Sequence, residues 1–389
     1  MKIFLICSTL STLFLSTSSY ASDVQLKKSM AELYININDT LPIVVNKKSF
    51  EDPKNKKIIA TRMNQLKHLA KAMTKENKRF ADSDPSISFI TERFEEDIQY
   101  AIDMWNTGDR IISRKIMRNA TDYCISCHTR TGRGAMFSHL NQPKGFASLP
   151  KVDRAEYYLA TRQYDQAIEL YEKILMDGIL AKQDPTTWIQ SIKKLLSVTI
   201  RVKHHASLTL EMISRIQERP DAHSDKFAPM IAAWRKSTQE WAAQEATKPG
   251  SKTDDTQQLS LASIASEVIQ GENLEKSLSG AGLVHFLKAS NNIHKLLSKT
   301  PKINQSADIL LLAGRAASHL TELNLGLLHE VYFEQCVIAT GSLSDRKECF
   351  AQLEAAYLKN FGVDGKSKLP LYLQNRINQL QEKLTSTKK

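Results

Sequence analysis

The run Cys124-Ile125-Ser126-Cys127-His128 holds the side chains of this sequence that are best suited to chemistry. Two thiols three positions apart, followed at once by an imidazole, form the attachment pattern of a c-type haem. On a helix the two cysteines lie near one face, where both sulfur atoms can form thioether bonds to the haem edge. We therefore predict one covalent haem c bound at Cys124 and Cys127, with His128 as the proximal ligand of the iron.

Two other interpretations of this run are a redox Cys-x-x-Cys pair and half of a zinc site. A redox pair normally opens a helix in a βαβ unit, and no strand pattern surrounds this one. A structural zinc ion needs a second pair of ligands, which the neighbouring sequence does not contain. Haem attachment remains the favoured interpretation.

The N-terminus has the three regions of a secretory signal peptide. Lys2 precedes an apolar stretch from Ile3 to Leu15, and the small-residue ending Ser19-Tyr20-Ala21 predicts cleavage after Ala21. The apolar stretch is too short, and too rich in Ser and Thr, to favour a membrane anchor. We expect residues 1–21 to be removed, and the mature chain to be periplasmic with no membrane span.

Length and charge limit the function classes. A chain of 389 residues is longer than those that usually fold around a single hydrophobic core, so two or more domains are expected. The formal net charge is +11, but no cluster of Lys and Arg with interleaved aromatic residues stands out, which argues against nucleic acid as a partner. A diffuse basic surface suits solubility, or the steering of acidic redox partners.

Apolar residues recur at helical spacing along nearly the whole chain, which predicts an all-α protein. Residues 22–133 contain four amphipathic segments with short connections, the pattern of an antiparallel four-helix bundle. The haem motif closes the fourth segment, which Asp109 is expected to cap at its start. Pro42 is expected to mark the end of the first segment.

The rest of the chain also reads as helices. Residues 134–150 are rich in Gly and Pro and are interpreted as a linker. Residues 151–245 begin with a helix pair whose small and aromatic positions are typical of a tetratricopeptide (TPR) repeat. Residues 257–386 read as further helix pairs, with a first break between 270 and 274. This predicts a TPR-like or α-solenoid region.

Cys336 and Cys349 flank a predicted turn at almost equal distances. Two antiparallel helices joined there bring both positions to one level, within reach of a disulfide if both side chains face inward. Export would supply oxidising conditions for such a bond. The alternative is a pair of buried free thiols that act as small core residues.

Residues 23–133 resemble the class II c-type cytochromes, which include the cytochrome c′ group. The resemblance rests on a bundle whose last helix ends in Cys-x-x-Cys-His and whose first helix carries a methionine near its start. It implies that Cys124, Cys127 and His128 hold the haem and that attachment takes place outside the cytoplasm. Met30 matches the first-helix position, which in this family is either the sixth iron ligand or a residue that leaves the iron five-coordinate.

These patterns predict an exported monohaem cytochrome that transfers one electron, with the helical region docking a redox partner protein. A five-coordinate haem protein that binds or senses a gas is one alternative, and a haem-bearing interaction scaffold is another. No pair of acid and base residues in the sequence indicates a catalytic site, so an enzyme is not expected. The sequence leaves the oligomeric state open.

Overall fold

The computed structural model describes residues 15–77, 84–130, 145–218, 225–247, 260–300, 303–323, 326–362 and 364–386. Within these ranges the chain is helical, and its only β-type pairing is one isolated bridge between Ser306 and Thr340. The prediction of an all-α protein is confirmed.

The described ranges contain seventeen α-helices, five up to His128 and twelve after it. The first five are α1 (Leu15–Val45), α2 (Lys47–Glu51), α3 (Lys56–Asn77), α4 (Pro85–Thr107) and α5 (Arg110–His128). The next six are α6 (Lys151–Ala160), α7 (Tyr164–Leu175), α8 (Gly178–Gln183), α9 (Pro185–Ser197), α10 (Ala206–Gln217) and α11 (Ala228–Ala246). The last six are α12 (Leu261–Ser277), α13 (Leu283–Lys299), α14 (Ala307–Ser318), α15 (Leu328–Ile338), α16 (Leu343–Phe361) and α17 (Leu371–Ser386).

The chain divides into two compact units. Unit 1 contains residues 1–79, 91–120 and 135–148, and unit 2 contains residues 80–90, 121–134 and 149–389. The division therefore runs through α4 and α5, whereas the sequence places a domain boundary in the linker 134–150. The last turns of α5, which carry the Cys-x-x-Cys-His motif, belong to unit 2.

In unit 1, α1 packs against α3 through the apolar stripes that the sequence predicts. The buried members are Leu33, Ile37, Leu41 and Val44 on α1, and Ile59, Met63, Leu66 and Met73 on α3. Polar contacts border this interface, since Nδ2 of Asn36 donates to Oε1 of Gln65 at 3.2 Å. Arg62 also forms an ion pair with Asp39.

The end of α1 differs from the sequence expectation. The helix continues past Pro42 to Val45, because Pro42 lies inside the last turn. The guanidinium of Arg114, on α5, donates to the carbonyl oxygens of Val44 and Val45 at 2.8 and 2.6 Å. Two carbonyls that a helix C-terminus leaves unbonded are thereby satisfied. A four-helix bundle remains a prediction.

Unit 2 consists mainly of consecutive helices that pack on each other: α6 on α7, α10 on α11, α12 on α13, and α15 between α14 and α16. Its apolar core includes the fully buried side chains of Trp188, Trp234, Tyr171 and Phe286. This agrees with the coarse expectation of helix pairs. A TPR-like arrangement remains a prediction.

The break between α12 and α13 lies about eight residues later than the sequence predicts. α12 continues to Ser277, and the turn uses Gly280, whose φ of 84° favours glycine. Gly282 follows, where a Cβ atom would collide with the carbonyl oxygen of Gly271. The close approach of the two helices thus fixes the turn, and apolar periodicity alone does not reveal it.

Cys336 at the end of α15 and Cys349 on α16 form a disulfide with a Cα–Cα distance of 6.0 Å. Both residues are fully buried. Among the described residues, no helix combines the length and the apolar character needed to cross a membrane. The predicted cleavage position after Ala21 lies within α1, and residues 1–14 of the predicted signal peptide lie outside the described residues.

Candidate cofactor site

The motif from Cys124 to His128 occupies the last turn of α5. This helix begins where Asp109 accepts a hydrogen bond from the backbone nitrogen of Ile112 at 3.0 Å, as the sequence predicts for a capping residue. Ile125 is buried in the apolar core of unit 2, and Cys124 packs against that core. Both Cys124 and Cys127 are half-buried free thiols. The apolar contacts of Ile125 thus fix the turn that carries both sulfur atoms.

His128 is buried, and its ring is held by a backbone group. Its Nδ1 lies 2.7 Å from the carbonyl oxygen of Ala160, at the end of α6. A carbonyl only accepts hydrogen bonds, so Nδ1 carries the proton and Nε2 keeps a free lone pair. Burial, together with the positive charge of Arg162, lowers the pKa of His128 from 6.5 to about 3. The neutral imidazole with a free Nε2 is the form that binds a metal.

Side chains also satisfy the backbone at the end of α5. The hydroxyl of Tyr164 donates to the carbonyl oxygen of His128 at 2.8 Å. The hydroxyl of Thr129 donates to the carbonyl oxygen of Ile125 at 2.8 Å. Arg162, in the turn between α6 and α7, has a φ of 59°, which is uncommon for a residue with a side chain. The motif is therefore braced by α6, α7 and the turn that joins them.

The electrostatics of the Cys124 thiol do not suit a redox pair. Burial, with smaller contributions from Cys127 and Asp122, raises the pKa of Cys124 to about 12. Reactive cysteines instead have lowered pKa values, commonly at a helix N-terminus. Here both thiols lie at a C-terminus, where the helix dipole disfavours a thiolate.

A zinc site lacks the ligands it needs. Within the residues that the structure describes, no group of three or more His, Cys, Asp or Glu side chains is arranged to hold a metal ion. Cys124, Cys127 and His128 do not converge on one point. In a c-type haem the sulfur atoms bind the porphyrin edge and only the imidazole binds iron, so such convergence is not required.

A buried polar cluster, consisting of Asp84, Ser86, Arg130, His294 and Tyr332, lies within unit 2. Oδ2 of Asp84 lies 3.3 Å from Nη1 of Arg130 and 3.1 Å from Nδ1 of His294. The hydroxyl oxygen of Tyr332 lies 3.1 Å from Oδ1 of Asp84 and 2.9 Å from Oγ of Ser86, so both oxygen atoms are within reach of its single hydrogen. Arg130 follows the motif by two residues and also donates from Nε to the carbonyl oxygen of Ser126 at 3.1 Å.

The residues of this buried polar cluster shift one another's pKa values. Burial alone raises the pKa of Asp84, but the hydrogen bond with His294 and the charge of Arg130 outweigh it and lower the pKa below its usual range. Burial lowers the pKa of His294 from 6.5 to about 4, with a smaller contribution from the positive charge of Arg130. At neutral pH the cluster therefore contains an ionised Asp84, a charged Arg130 and a neutral His294.

Comparisons with protein-family models, with curated proteins and with solved structures found no match for this chain. The interpretation of the site therefore depends on its own residues and geometry.

The donor set around the motif fits a covalent haem. Two half-buried thiols lie one helical turn apart, and the adjacent imidazole has a free Nε2. In addition, Nη1 of Arg162 and both Nε and Nη2 of Arg201 are buried without a hydrogen-bond partner in the described part of the chain. Haem c carries two carboxylates, which are the natural partners of such guanidinium groups. If bound here, the haem would be held by Cys124 and Cys127, with His128 on the iron.

Met30 is half-buried on α1. It belongs to unit 1, whereas the haem motif belongs to unit 2. Its role as the sixth ligand of the iron stays a prediction.

Sequence reasoning missed the groups that brace the motif. The Ala160 carbonyl and the Tyr164 hydroxyl carry no sequence signal, because a helix pair needs residues there for packing alone. In the sequence, Asp84 indicates only that a helix begins there. Arg201 does have a signal, since it is a charged residue inside the apolar run from Leu195 to Val202.

Proposed function

We propose that this protein is an exported c-type cytochrome with one covalent haem, which transfers single electrons to and from partner proteins. The observation that supports this most is the 2.7 Å hydrogen bond between Nδ1 of His128 and the carbonyl oxygen of Ala160. It leaves Nε2 free next to two thiols that form no disulfide, of which Cys124 has a raised pKa, unlike a redox-active cysteine. A bound haem supplies the iron couple that accepts and releases one electron.

The chain's own residues have distinct roles in this proposal. Cys124 and Cys127 provide the thiols that become thioethers, and α5 fixes their spacing. His128 provides the proximal ligand, and the Ala160 carbonyl fixes its tautomer and ring orientation. Tyr164 holds the backbone of His128 from the other side. These contacts limit rearrangement of the ligand when the iron changes charge, which favours rapid electron transfer.

Export, the partner and the sixth ligand belong to the same proposal. The N-terminal pattern up to Ala21 predicts secretion, and covalent haem attachment fits the periplasm. The helix pairs of unit 2 offer surfaces for a redox partner protein. Met30 is the proposed sixth ligand, which raises the reduction potential of the iron if it binds.

Covalent attachment is tested with two matched pairs of cysteine substitutions. The full-length chain is expressed in a bacterium that matures c-type cytochromes, and the periplasmic protein is measured by intact mass and by its pyridine haemochrome spectrum. We expect wild type and Cys336→Ala/Cys349→Ala to carry one haem each, and Cys124→Ala/Cys127→Ala to carry no covalent haem. A wild-type chain without haem would overturn the proposal.

Electron carriage is separated from gas binding by spectra of the haem-loaded protein, oxidised and reduced, with and without carbon monoxide. An electron carrier with a Met ligand has a low-spin spectrum with a Met-to-iron charge-transfer band. We expect Met30→Ala to lose this band and Met104→Ala, at another half-buried methionine, to keep it. A high-spin wild type that binds carbon monoxide readily contradicts the carrier function.

A further inference from the structure

Arg201 is a fully buried guanidinium with unmet hydrogen bonds. It lies in a π-helical segment, Val198–Val202, that continues α9 and in which Lys203 donates its backbone N–H to the carbonyl of Val198 at 2.9 Å. Such segments are rare and often occur at functional sites. Arg201 has an exposed fraction of 0%. Within the described part of the chain, its Nη1 donates to Oγ of Ser197 at 3.4 Å, and its Nε and Nη2 have no partner there.

Among the described residues, the groups that act electrostatically on Arg201 include a second positive charge, Arg130, and no carboxylate. Burial, together with the positive charge of Arg130, lowers the pKa of Arg201 from 12.5 to about 9. Asp84, the carboxylate of the buried polar cluster, is already engaged with Arg130, His294 and Tyr332. Native proteins rarely leave a buried charge unpaired, because its desolvation is expensive. The missing partner of Arg201 is therefore an anion that the described part of the chain does not supply.

The same surroundings connect Arg201 to the haem motif. Cys127 and Tyr164 both interact electrostatically with Arg201. Tyr164 in turn donates its hydroxyl hydrogen to the carbonyl of His128. Arg130, which also interacts electrostatically with Cys127, follows the motif by two residues. Arg201 thus belongs to the group of residues around Cys127 and His128, although it is far from them in sequence.

The geometry of the unmet donors specifies the class of anion. Nε and Nη2 are adjacent on one side of the guanidinium, and their N–H groups point in parallel. This edge matches the two oxygen atoms of a carboxylate, which it binds through two hydrogen bonds. We propose that Arg201 binds a carboxylate of the haem attached at Cys124 and Cys127. This inference rests on the proposed function and extends it to a residue outside the part of the chain that resembles class II cytochromes.

The inference gives opposite expectations for the haem-loaded and haem-free chains. In the haem-free variant Cys124→Ala/Cys127→Ala, Arg201→Met removes an unpaired buried charge, so we expect at least a tenfold rise in the ratio of folded to unfolded protein. In the haem-loaded chain the same substitution removes a paired charge, so we expect at least a tenfold fall. Arg215→Met, which breaks a surface ion pair with Glu172, is the control and should have a small effect in both. Equal shifts of the same sign at Arg201 in both chains overturn the inference.

The reduction potential gives an independent readout if the haem-free variant does not fold. Loss of a positive charge paired to a haem carboxylate favours the ferric iron, so Arg201→Met should lower the potential, and Arg201→Lys should restore most of it. A potential in Arg201→Met that equals that of wild type overturns the inference. In that case a wild type with covalent haem leaves the proposed function standing, so the two failures are distinguishable.

A free small anion is the other source of a carboxylate. Added sodium acetate, compared with sodium chloride at equal ionic strength, should stabilise only the haem-free chain, and Arg201→Met should abolish that effect. Stabilisation of haem-loaded wild type to the same extent would mean that the haem leaves the site open. That outcome overturns the assignment to the haem carboxylate.

Discussion

Nδ1 of His128 and the carbonyl oxygen of Ala160 lie 2.7 Å apart and join the end of α5 to the end of α6. Both ends of the hydrogen bond are in unit 2. The proximal ligand that the sequence predicts is therefore oriented by a helix outside the predicted cytochrome domain 22–133. A fragment that stops at 133 lacks this acceptor, and also lacks Tyr164 and Arg201.

Tyr164→Phe is expected to destabilise the protein by about 1–2 kcal/mol, because the buried carbonyl of His128 loses its hydroxyl donor. The free energy of unfolding in urea measures this. Tyr372→Phe is the matched control, since Tyr372 is 65% exposed and should change stability little. Equal stability of the two variants would show that the hydroxyl of Tyr164 has no structural role.

Asp84→Asn is expected to cost about 3–5 kcal/mol, because it leaves the buried guanidinium of Arg130 without a compensating charge. Asp184→Asn makes the same chemical change at an exposed helix N-cap, where Asn caps as well as Asp. Urea unfolding of both variants should therefore give a large loss for the first and almost none for the second. Similar values for both would contradict the pairing of Asp84 and Arg130.

His294 is expected to make stability depend on pH in mildly acidic solution. Its pKa is lowered from 6.5 to about 4 in the folded protein, so between these values the unfolded chain binds the proton more strongly. The free energy of unfolding should rise with pH across this window, reach its full value above pH 6.5 and decline as pH falls toward 4. His294→Asn keeps a hydrogen-bond donor toward Asp84 but does not titrate. It should therefore reduce the dependence of the free energy of unfolding on pH in this window. An unchanged slope contradicts the prediction.

Gly314→Ala is expected to destabilise the protein by about 1–3 kcal/mol through overpacking. Gly314 lies on α14, and a Cβ atom there would collide with the ring of Phe333 on α15. Gly365→Ala is the matched control, because nothing lies within 4 Å of its Cβ position. Thermal unfolding of both variants tests this, and a harmless substitution at Gly314 would mean that the two helices can move apart.

The sequence predicts the helices well because apolar periodicity and capping residues act locally. Asp109 starts α5 as expected, and the stripes on α1 and α3 are the buried ones. The break between α12 and α13 is misplaced because it depends on a close approach between Gly271 and Gly282. Such approaches are tertiary, and a periodic pattern does not encode them.

The candidate site shows the same difference between local features, which the sequence predicts, and tertiary contacts, which it does not. The motif from Cys124 to His128 is contiguous, so its residue types and spacing are visible in the sequence. The Ala160 carbonyl is a backbone group, and Asp84 and Tyr332 reach each other across 248 positions. No local pattern predicts such pairings. The sequence does mark Arg201 as unusual, because it is a charged residue in an apolar run. It does not predict which residues surround Arg201 in the fold.

The hydrogen bond between Tyr332 and Asp84 has a consequence for the order of folding. It closes a loop of 248 positions, so it forms only after almost the whole chain has emerged, and such long-range contacts slow folding. Until then the buried polar cluster next to the motif lacks Tyr332. Under the proposed function, a maturation enzyme has this interval in which to reach both sulfur atoms, and closure of unit 2 then seals the finished cofactor.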